Sequence, residues 1–219
     1  MLALGGFDGL IEIYNTLDYS YYTSLKFQAE GTALFHDNPI NLMEFNSSDE
    51  MLVSSDTKNL IKIWNLENGK LLRKIELNTG ISTIAWGMDP SHLAVGYQDI
   101  KLYGIRSCMV MKEYNVSVGG DYLNKILISE NRIYAVTNSG MVKIFNYSTQ
   151  EELISTNLRQ NVISVLPIFA TRGGNIVEKL LIATPQKIFE LNRTGEDEVR
   201  YKIESGELIN ACCVGEYLY

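Results

Sequence analysis

The chain has 219 residues, of which 46% are hydrophobic and 21% charged, a balance typical of a globular protein with an apolar core. Its formal net charge of -7 at pH 7 argues against direct binding to nucleic acids, because phosphate groups carry the same sign. No apolar stretch approaches the roughly 20 residues that cross a membrane, so we expect no membrane partner.

Strand signals begin at the amino-terminal end. Residues 2–6 and 10–15 read as two short strands, joined by the turn Phe7-Asp8-Gly9, whose Asp-Gly pair is a hairpin signal. Residues 22–27 read as a third, outer strand. The innermost strand that later repeats contain is missing, so residues 1–34 predict a partial four-stranded unit.

The clearest pattern follows, in residues 35–77. Four short β-prone runs, at 38–45, 51–55, 60–65 and 70–75, are separated by polar turns. Four strands in about 40 residues are the sequence signature of one WD40 propeller blade. The two middle runs are mostly apolar, as expected for strands that neighbouring blades cover on both faces.

The same pattern recurs along the rest of the chain. Full blades are predicted at residues 35–77, 78–115, 116–157 and 158–205, and residues 206–219 begin another blade. The sequence therefore predicts an all-β fold in one domain, residues 1–219: an incomplete WD40 β-propeller with four full blades and partial blades at both ends. An open arc of blades is favoured over a ring closed by pairing of residues 208–214 with residues 1–6.

Several positions recur in register and predict structural roles. One aromatic residue ends the third strand of each of the first four blades, and this fixed place favours packing between sheets over stacking on a ligand. These residues are Tyr14, Trp64, Tyr103 and Phe145. His36 stands where such repeats carry a Gly-His pair, a position that makes structural hydrogen bonds. The aspartate of the inner turn is recognised only at Asp8, so we expect weak polar networks between blades.

No pattern in the sequence carries catalysis. There is no phosphate-binding G-x-x-x-x-G-K-S/T loop and no G-x-S-x-G nucleophile elbow. Three cysteines and two scattered histidines predict neither a disulfide framework nor a metal site. Neither His36 nor His92 has a partner that would form a Ser/His/Asp set. We therefore predict that the protein is not an enzyme and has no cofactor and no small-molecule substrate.

Binding of a protein partner would use the loop-rich face of the blades. In this repeat that face includes the residues just before each first strand, so Asn38, Thr79 and Asn161 are the candidates. For each of them, the alternative is an ordinary turn residue.

The order of several segments resembles the SMU (suppressor of mec and unc) family of WD40 splicing factors. The resemblance is carried by residues 7–15, by Leu25-Lys-Phe-Gln-Ala29, by residues 61–76, by the glycine-ended run Ile100-Lys-Leu-Tyr-Gly104, and by Ala211-Cys-Cys213. It implies a nuclear scaffold of pre-mRNA splicing that acts in the spliceosome before activation. The implied partners are spliceosomal proteins, including a RED-like protein. The family's LisH-type helical region and its last blade have no counterpart in these 219 residues.

A different kind of WD40 adaptor is the alternative reading, for example a substrate receptor of a cullin ubiquitin ligase. Such receptors usually carry Trp-Asp-x-Arg at the end of a third strand. Here Trp64 is followed by Asn65-Leu66-Glu67, which argues against this class.

Overall fold

A computed structural model describes residues 1–25, 35–116, 119–129, 131–172, 175–191, 197–202, 213–214 and 217–218. Side chains are described for residues 1–25, 35–116, 119–129, 131–165 and 180–191. All regular structure in these ranges is β-strand, which confirms the predicted all-β fold class. Within the same ranges, no helix is long and apolar enough to cross a membrane.

The strands form successive small sheets, each made from consecutive strands. The first sheet is β1 (Leu2–Gly5), β2 (Ile11–Tyr14) and β3 (Tyr21–Ser24). The second is β4 (Ile40–Phe45), β5 (Met51–Asp56), β6 (Leu60–Asn65) and β7 (Leu71–Glu76). The third is β8 (Thr83–Trp86), β9 (His92–Gly96), β10 (Ile100–Gly104) and β11 (Met109–Tyr114).

The later sheets follow the same order. The fourth is β12 (Leu123–Ser129), β13 (Arg132–Thr137), β14 (Met141–Asn146) and β15 (Glu152–Asn157). The fifth is β16 (Ser164–Arg172), β17 (Asn175–Ala183), β18 (Lys187–Leu191) and β19 (Asp197–Lys202). β20 (Cys213–Val214) and β21 (Tyr217–Leu218) form a two-stranded sheet. Each four-stranded sheet is a meander, as expected when short turns join neighbouring strands.

The predicted relation between the chain ends stays a prediction. Residues 208–212 lie outside the described part of the chain. β20 pairs with β21, and β1 pairs with β2. The predicted outer strand 22–27 is observed as β3, and residues 26–34 likewise lie outside the described part.

The chain forms two compact units. Unit 1 comprises Met1–Val95 and Lys101–Lys112, and unit 2 comprises Gly96–Ile100 and Glu113–Tyr219. In unit 1, one apolar cluster joins Ile11 and Ile13 of β2 to Leu52 and Trp64 of the second sheet. Trp64 has no exposed surface, so it packs between the first and second sheets, where its large ring buries much apolar area.

A second cluster of unit 1 lies between the second and third sheets. It contains Ile61, Ile63, Leu93, Val95 and Tyr103, all buried. In unit 2, buried side chains of β13 and β14 meet those of the fifth sheet. They are Tyr134, Val136, Val142, Ile144, Val165, Leu180, Ile182, Phe189 and Leu191, with Leu158 and Val162 from the connecting segment.

Phe145 is also buried, and its ring lies 5.6 Å from that of Tyr114 at an interplanar angle of 60°. The Tyr114 hydroxyl donates a 2.8 Å hydrogen bond to the carbonyl of Tyr147. Burial raises the pKa of Tyr114 to about 12, so the phenol stays protonated and keeps donating.

Tyr14 differs from the expectation that all four repeat aromatics pack between sheets. It is half-buried, its hydroxyl donates to Glu12 Oε2 at 3.0 Å, and its ring meets Tyr21 edge-to-face at 5.9 Å. Tyr14 lies on the opposite face of β2 from the buried Ile13, and on the first sheet that face is partly exposed. Its cross-strand neighbour on that face, Leu2, is 40% exposed.

Two inner turns place glycine against the start of the next repeat. Gly9 and Gly140 have φ angles of +77° and +93°. A Cβ atom on Gly9 would lie 1.7 Å from the carbonyl oxygen of His36, and one on Gly140 would lie 2.4 Å from that of Gln160. Both positions therefore require glycine for conformation and for space. The Gly9 carbonyl accepts a 3.1 Å hydrogen bond from the His36 amide, which anchors that histidine.

Candidate functional site

A chain of hydrogen bonds connects four side chains of the second sheet region. Trp64 Nε1 donates to Ser54 Oγ at 2.9 Å, and Ser54 Oγ lies 2.7 Å from His36 Nε2. His36 Nδ1 lies 3.1 Å from Asp56 Oδ2. All four side chains are completely buried. The sequence brings them together because Ser54 and Asp56 alternate on one face of β5 and Trp64 follows on the paired strand β6.

The hydrogen bonds fit a neutral His36. Ser54 Oγ accepts a hydrogen bond from the indole N–H of Trp64, and with a neutral imidazole the Ser54 hydroxyl donates to His36 Nε2 while His36 Nδ1–H donates to Asp56 Oδ2. Burial lowers the pKa of His36, and the charge of Lys62 lowers it further, although the bond to Asp56 opposes both. With a neutral imidazole, each donor and acceptor of this hydrogen-bond network therefore has a partner.

Asp56 is held in its charged form. Burial by itself would raise the pKa of the carboxyl, but hydrogen bonds from the Leu60 amide, from His36 and from the Lys58 amide outweigh it and lower the pKa. Asp56 Oδ1 accepts the Lys58 amide at 2.9 Å and the Leu60 amide at 3.1 Å. Asp56 thus ties the inner turn to the histidine.

Two expectations from the sequence are corrected here. Asp8 is exposed and only caps its own turn, accepting the Leu10 amide at 3.1 Å. The aspartate that bonds the histidine is Asp56. It stands four positions before β6, whereas the sequence pattern placed this aspartate two positions before the strand. The expectation that His36 lacks Ser and Asp partners was wrong for the same reason, and the polar network of this repeat is complete.

The Ser54–His36–Asp56 arrangement has hydrogen-bond distances like those of a nucleophilic triad, but its surroundings do not suit catalysis. The three side chains have no solvent exposure, so a substrate has no access to Ser54 Oγ. That oxygen is already engaged by Trp64 and His36. A triad needs an exposed nucleophile beside an oxyanion-binding group, and the arrangement here fixes the fold.

Lys62 is a buried cation beside this network that sequence reasoning missed. It is 2% exposed and lies on β6 between the core residues Ile61 and Ile63. Its Nζ donates to the carbonyl of Phe35 at 2.6 Å and lies 5.9 Å from the centre of the Trp64 ring. Burial lowers the pKa of Lys62, and the charge of Lys74 adds to this. The lysine thus ties β6 to the residue before His36.

The three predicted partner-binding residues each stand at the start of a sheet. Asn38 is half-buried and precedes β4, whereas Thr79 and Asn161 are exposed and precede β8 and β16. Asn38 and Thr79 belong to unit 1 and Asn161 to unit 2. Asn161 also lines a shallow hollow with Gln160, Pro185 and Gln186.

Asn161 belongs to a surface of unit 2 that we call the polar sheet end. This surface is formed by Asp121, Asn124, Asn138, Ser139 and Asn161. Asn124 Nδ2 donates to Asn138 Oδ1 at 2.8 Å and to the carbonyl of Val162 at 3.2 Å. The Val162 amide donates to the carbonyl of Asn138 at 2.9 Å. The Ser139 hydroxyl and amide both donate to Asp121 Oδ2. These bonds fix the orientation of the half-buried Asp121, Asn124 and Asn138 and of the exposed Ser139.

The polar sheet end has a counterpart in the second sheet. The strand register shifts at Asn124 and also at Asn41, each the second residue of its sheet's first strand. Each of these asparagines bonds a side chain of the neighbouring strand region. Asn41 Oδ1 accepts a 2.6 Å hydrogen bond from Ser55 Oγ, whereas Asn124 donates one to Asn138 Oδ1. Because a bulge re-aims a side chain, both sheets present a fixed asparagine at this end.

An exposed aromatic pair stands beside the polar sheet end. The rings of Tyr97 and Tyr122 stack with centroids 6.1 Å apart and planes 16° apart. Tyr97 is 41% exposed and Tyr122 47% exposed. The Tyr97 carbonyl accepts the Leu123 amide at 2.6 Å, and the Tyr122 carbonyl accepts the Asn138 amide at 3.0 Å. Neither tyrosine stood out in the sequence, although each directly follows or precedes a strand.

No group of histidine, cysteine and acidic side chains in the described ranges is arranged to hold a metal ion. Cys108 is a half-buried free thiol, and its Sγ contacts the Ile105 carbonyl at 3.6 Å. The polar sheet end and the tyrosine pair together present aromatic, amide and carboxylate groups. Such groups suit hydrogen bonding and stacking with another macromolecule.

Comparisons with known proteins agree with this architecture. Residues 23–89 match the sequence family described as the Anaphase-promoting complex subunit 4 WD40 domain. The crystal structure of the computationally designed Ika8 protein is similar, with a TM-score of 0.72 and 14% sequence identity. That likeness covers 99% of this chain and 63% of the designed protein, so the chain spans less than two thirds of its length. At this identity the likeness concerns the fold alone.

The sheets and the family match together confirm the fold class predicted from the sequence. The antiparallel sheets of three or four strands are consistent with an incomplete WD40 propeller, and the match to a WD40 domain covers residues 23–89.

Proposed function

We propose that this protein is a non-catalytic scaffold that binds protein partners through the polar sheet end of unit 2 and the adjoining Tyr97–Tyr122 pair. The observation that carries the proposal is the fixed presentation of half-buried polar side chains beside the exposed Ser139 and Asn161. Asp121, Asn124 and Asn138 are oriented by hydrogen bonds, so little side-chain entropy is lost when a partner binds them. Exposed tyrosines supply contact area of the kind that is enriched at interfaces.

The buried polar groups support a scaffold for a complementary reason. Ser54, His36 and Asp56 form a Ser/His/Asp constellation that is closed to solvent. Its bonds tie β5 and β6 to the start of the sheet. The arrangement therefore stabilises the second sheet, which belongs to unit 1.

The process in which the scaffold acts is proposed from the sequence resemblance to the SMU family. On that basis, the protein works in the nucleus in pre-mRNA splicing before spliceosome activation, with spliceosomal proteins and a RED-like protein as partners.

A second candidate process is favoured by the family match over residues 23–89. It is a subunit role in an assembly of the anaphase-promoting type. The surface used would be the same, and only the partners would differ. The substrate-receptor alternative is not favoured, because Trp64-Asn65-Leu66-Glu67 stands where such receptors carry Trp-Asp-x-Arg.

Affinity purification of the tagged chain with mass spectrometry tests both the surface and the process. We expect Asn161→Arg to reduce recovery of the specific partners, because it places a long charged side chain on the polar sheet end. Asn68→Arg is the matched control, an exposed asparagine in the turn between β6 and β7. Recovery of spliceosomal proteins supports the splicing role, and recovery of anaphase-promoting complex subunits supports the second candidate. Equal recovery with both variants would contradict the proposed surface.

A further inference from the structure

The stacked tyrosines and the neighbouring aspartate form a surface that we call the tyrosine–aspartate patch: Tyr97, Tyr122 and Asp121. The stacked arrangement holds both rings in place while each keeps more than two fifths of its surface exposed. Aromatic faces carry negative charge density and attract cations. The main-chain bond from Leu123 to Tyr97 joins the two segments that carry the rings.

Asp121 supplies a fixed negative charge next to the rings. Its Oδ1 accepts the Tyr122 amide at 2.9 Å, and its Oδ2 accepts the hydroxyl and amide of Ser139. Partial burial alone would raise the pKa of Asp121, but hydrogen bonds from Ser139, Thr137 and the Tyr122 amide outweigh it and lower the pKa. No basic side chain in the described part of the chain forms an ion pair with Asp121.

We propose that the tyrosine–aspartate patch binds an arginine side chain of a protein partner, an inference that rests on the proposed scaffold function. A guanidinium is planar, so it can lie on a tyrosine ring while its edge donates to the Asp121 carboxylate. A lysine ammonium offers only a point charge and cannot stack. The net charge of -7 favours a basic partner segment and disfavours nucleic acid.

Nuclear magnetic resonance titration of the full chain tests the assignment. The probe is the acetylated and amidated peptide Gly-Arg-Gly, compared with Gly-Lys-Gly and with Gly-citrulline-Gly, which keeps the shape of arginine without its charge. We expect saturable shifts of the Tyr122 and Ser139 amide signals. Because exposed cation–π contacts are weak, we expect the arginine peptide to bind about 2–5 times more tightly than the other two.

Matched variants locate the binding. Tyr97→Ala and Asp121→Asn should each raise the Kd of the arginine peptide by about 2–5-fold. The controls are Tyr22→Ala, an exposed tyrosine of β3, and Asp89→Asn, a turn aspartate that accepts the Ser91 amide at 2.8 Å. The controls should leave the Kd unchanged. An unchanged Kd in both patch variants, or no preference for arginine over citrulline, would overturn the assignment.

The outcome is separable from that of the scaffold proposal. Partner recovery that depends on Asn161, combined with no binding of the arginine peptide, overturns the arginine assignment and leaves the scaffold standing. Binding of the peptide at the patch, combined with partner recovery that ignores Asn161→Arg, supports the arginine site and contradicts the polar sheet end as the main surface.

Discussion

The indole nitrogen of Trp64 lies 2.9 Å from the hydroxyl oxygen of Ser54 across the β5–β6 pair, and neither side chain is exposed to solvent. This bond joins the two roles of the tryptophan. Its ring fills the space between the first and second sheets, and its N–H begins the hydrogen-bond chain through His36 to Asp56.

Replacing Trp64 should remove both roles at once. We expect Trp64→Ala to lower the free energy of unfolding by about 3–5 kcal/mol, because it opens a cavity between two sheets. Lys70→Ala, an exposed control near the outer strand, should cost less than about 1 kcal/mol. Urea unfolding followed by circular dichroism measures both. Similar losses would mean that Trp64 does not fill the inter-sheet space.

Asp56 should matter far more to stability than Asp8, although both accept amides in inner turns. Asp56→Asn weakens a buried charged acceptor with three donors, and hydrogen bonds to charged groups contribute about 1.5–3 kcal/mol. Asp8→Asn, in an exposed turn, should change stability by less than about 0.5 kcal/mol. The same unfolding assay compares them. A larger loss for Asp8→Asn would restore the role that the sequence had assigned to it.

The strands could be predicted from the sequence because they depend on local signals. Alternation, apolar runs and turns such as Phe7-Asp8-Gly9 mark the strands, and the repeat groups them into sheets. Trp64, Tyr103 and Phe145 are buried at one repeated position because that place faces a neighbouring sheet. Tyr14 shares the position but not the environment, because on the first sheet that face is partly exposed.

The polar contacts could not be predicted, because they depend on spacing across strands. His36 contacts Asp56 across 20 residues. Asp56 stands eight positions before Trp64, whereas Asp8 stands six before Tyr14, so the spacing conceals the match. Tyr97 and Tyr122 are 25 positions apart and belong to different repeats. The main-chain hydrogen bond from Leu123 to Tyr97 brings them together.

The pH dependence of stability should report His36. Its pKa is lowered in the folded state from 6.5, so the unfolded chain binds this proton more readily. Its contribution is therefore present above pH 6.5 and is lost as the pH falls below that value, by up to about 1.4 kcal/mol per pH unit. Urea unfolding at pH 7.5 and 5.5 measures the change in wild type and in His36→Gln.

The His36→Gln variant is less stable at both values but should lose less on acidification, because it lacks the group that titrates. Carboxyl groups that do not contact His36 titrate alike in both proteins and cancel in the comparison. An equal loss on acidification in the two proteins would show that His36 is not held neutral.

Glycine at position 140 should be required for space as well as for conformation. Gly140→Ala places a methyl group 2.4 Å from the Gln160 carbonyl oxygen at a φ of +93°, whereas Gly69→Ala at +66° meets nothing within 4 Å. We expect Gly69→Ala to cost about 1–2 kcal/mol for the left-handed backbone alone, and Gly140→Ala to cost clearly more. Thermal unfolding of the two variants gives the difference. Equal losses of stability in the two variants would mean that the turn at Gly140 moves away from Gln160 without a cost in free energy.

The most direct test of the scaffold account is hydrogen–deuterium exchange of the chain with and without its purified partner. The account predicts that bound partner slows exchange in segments containing Asp121–Asn124, Asn138–Ser139 and Asn161–Val162. Segments of the exposed outer strand β11, which carries Met109 and Met111, should exchange as in the free chain. Protection confined to β11, with no change at the polar sheet end, would contradict the account.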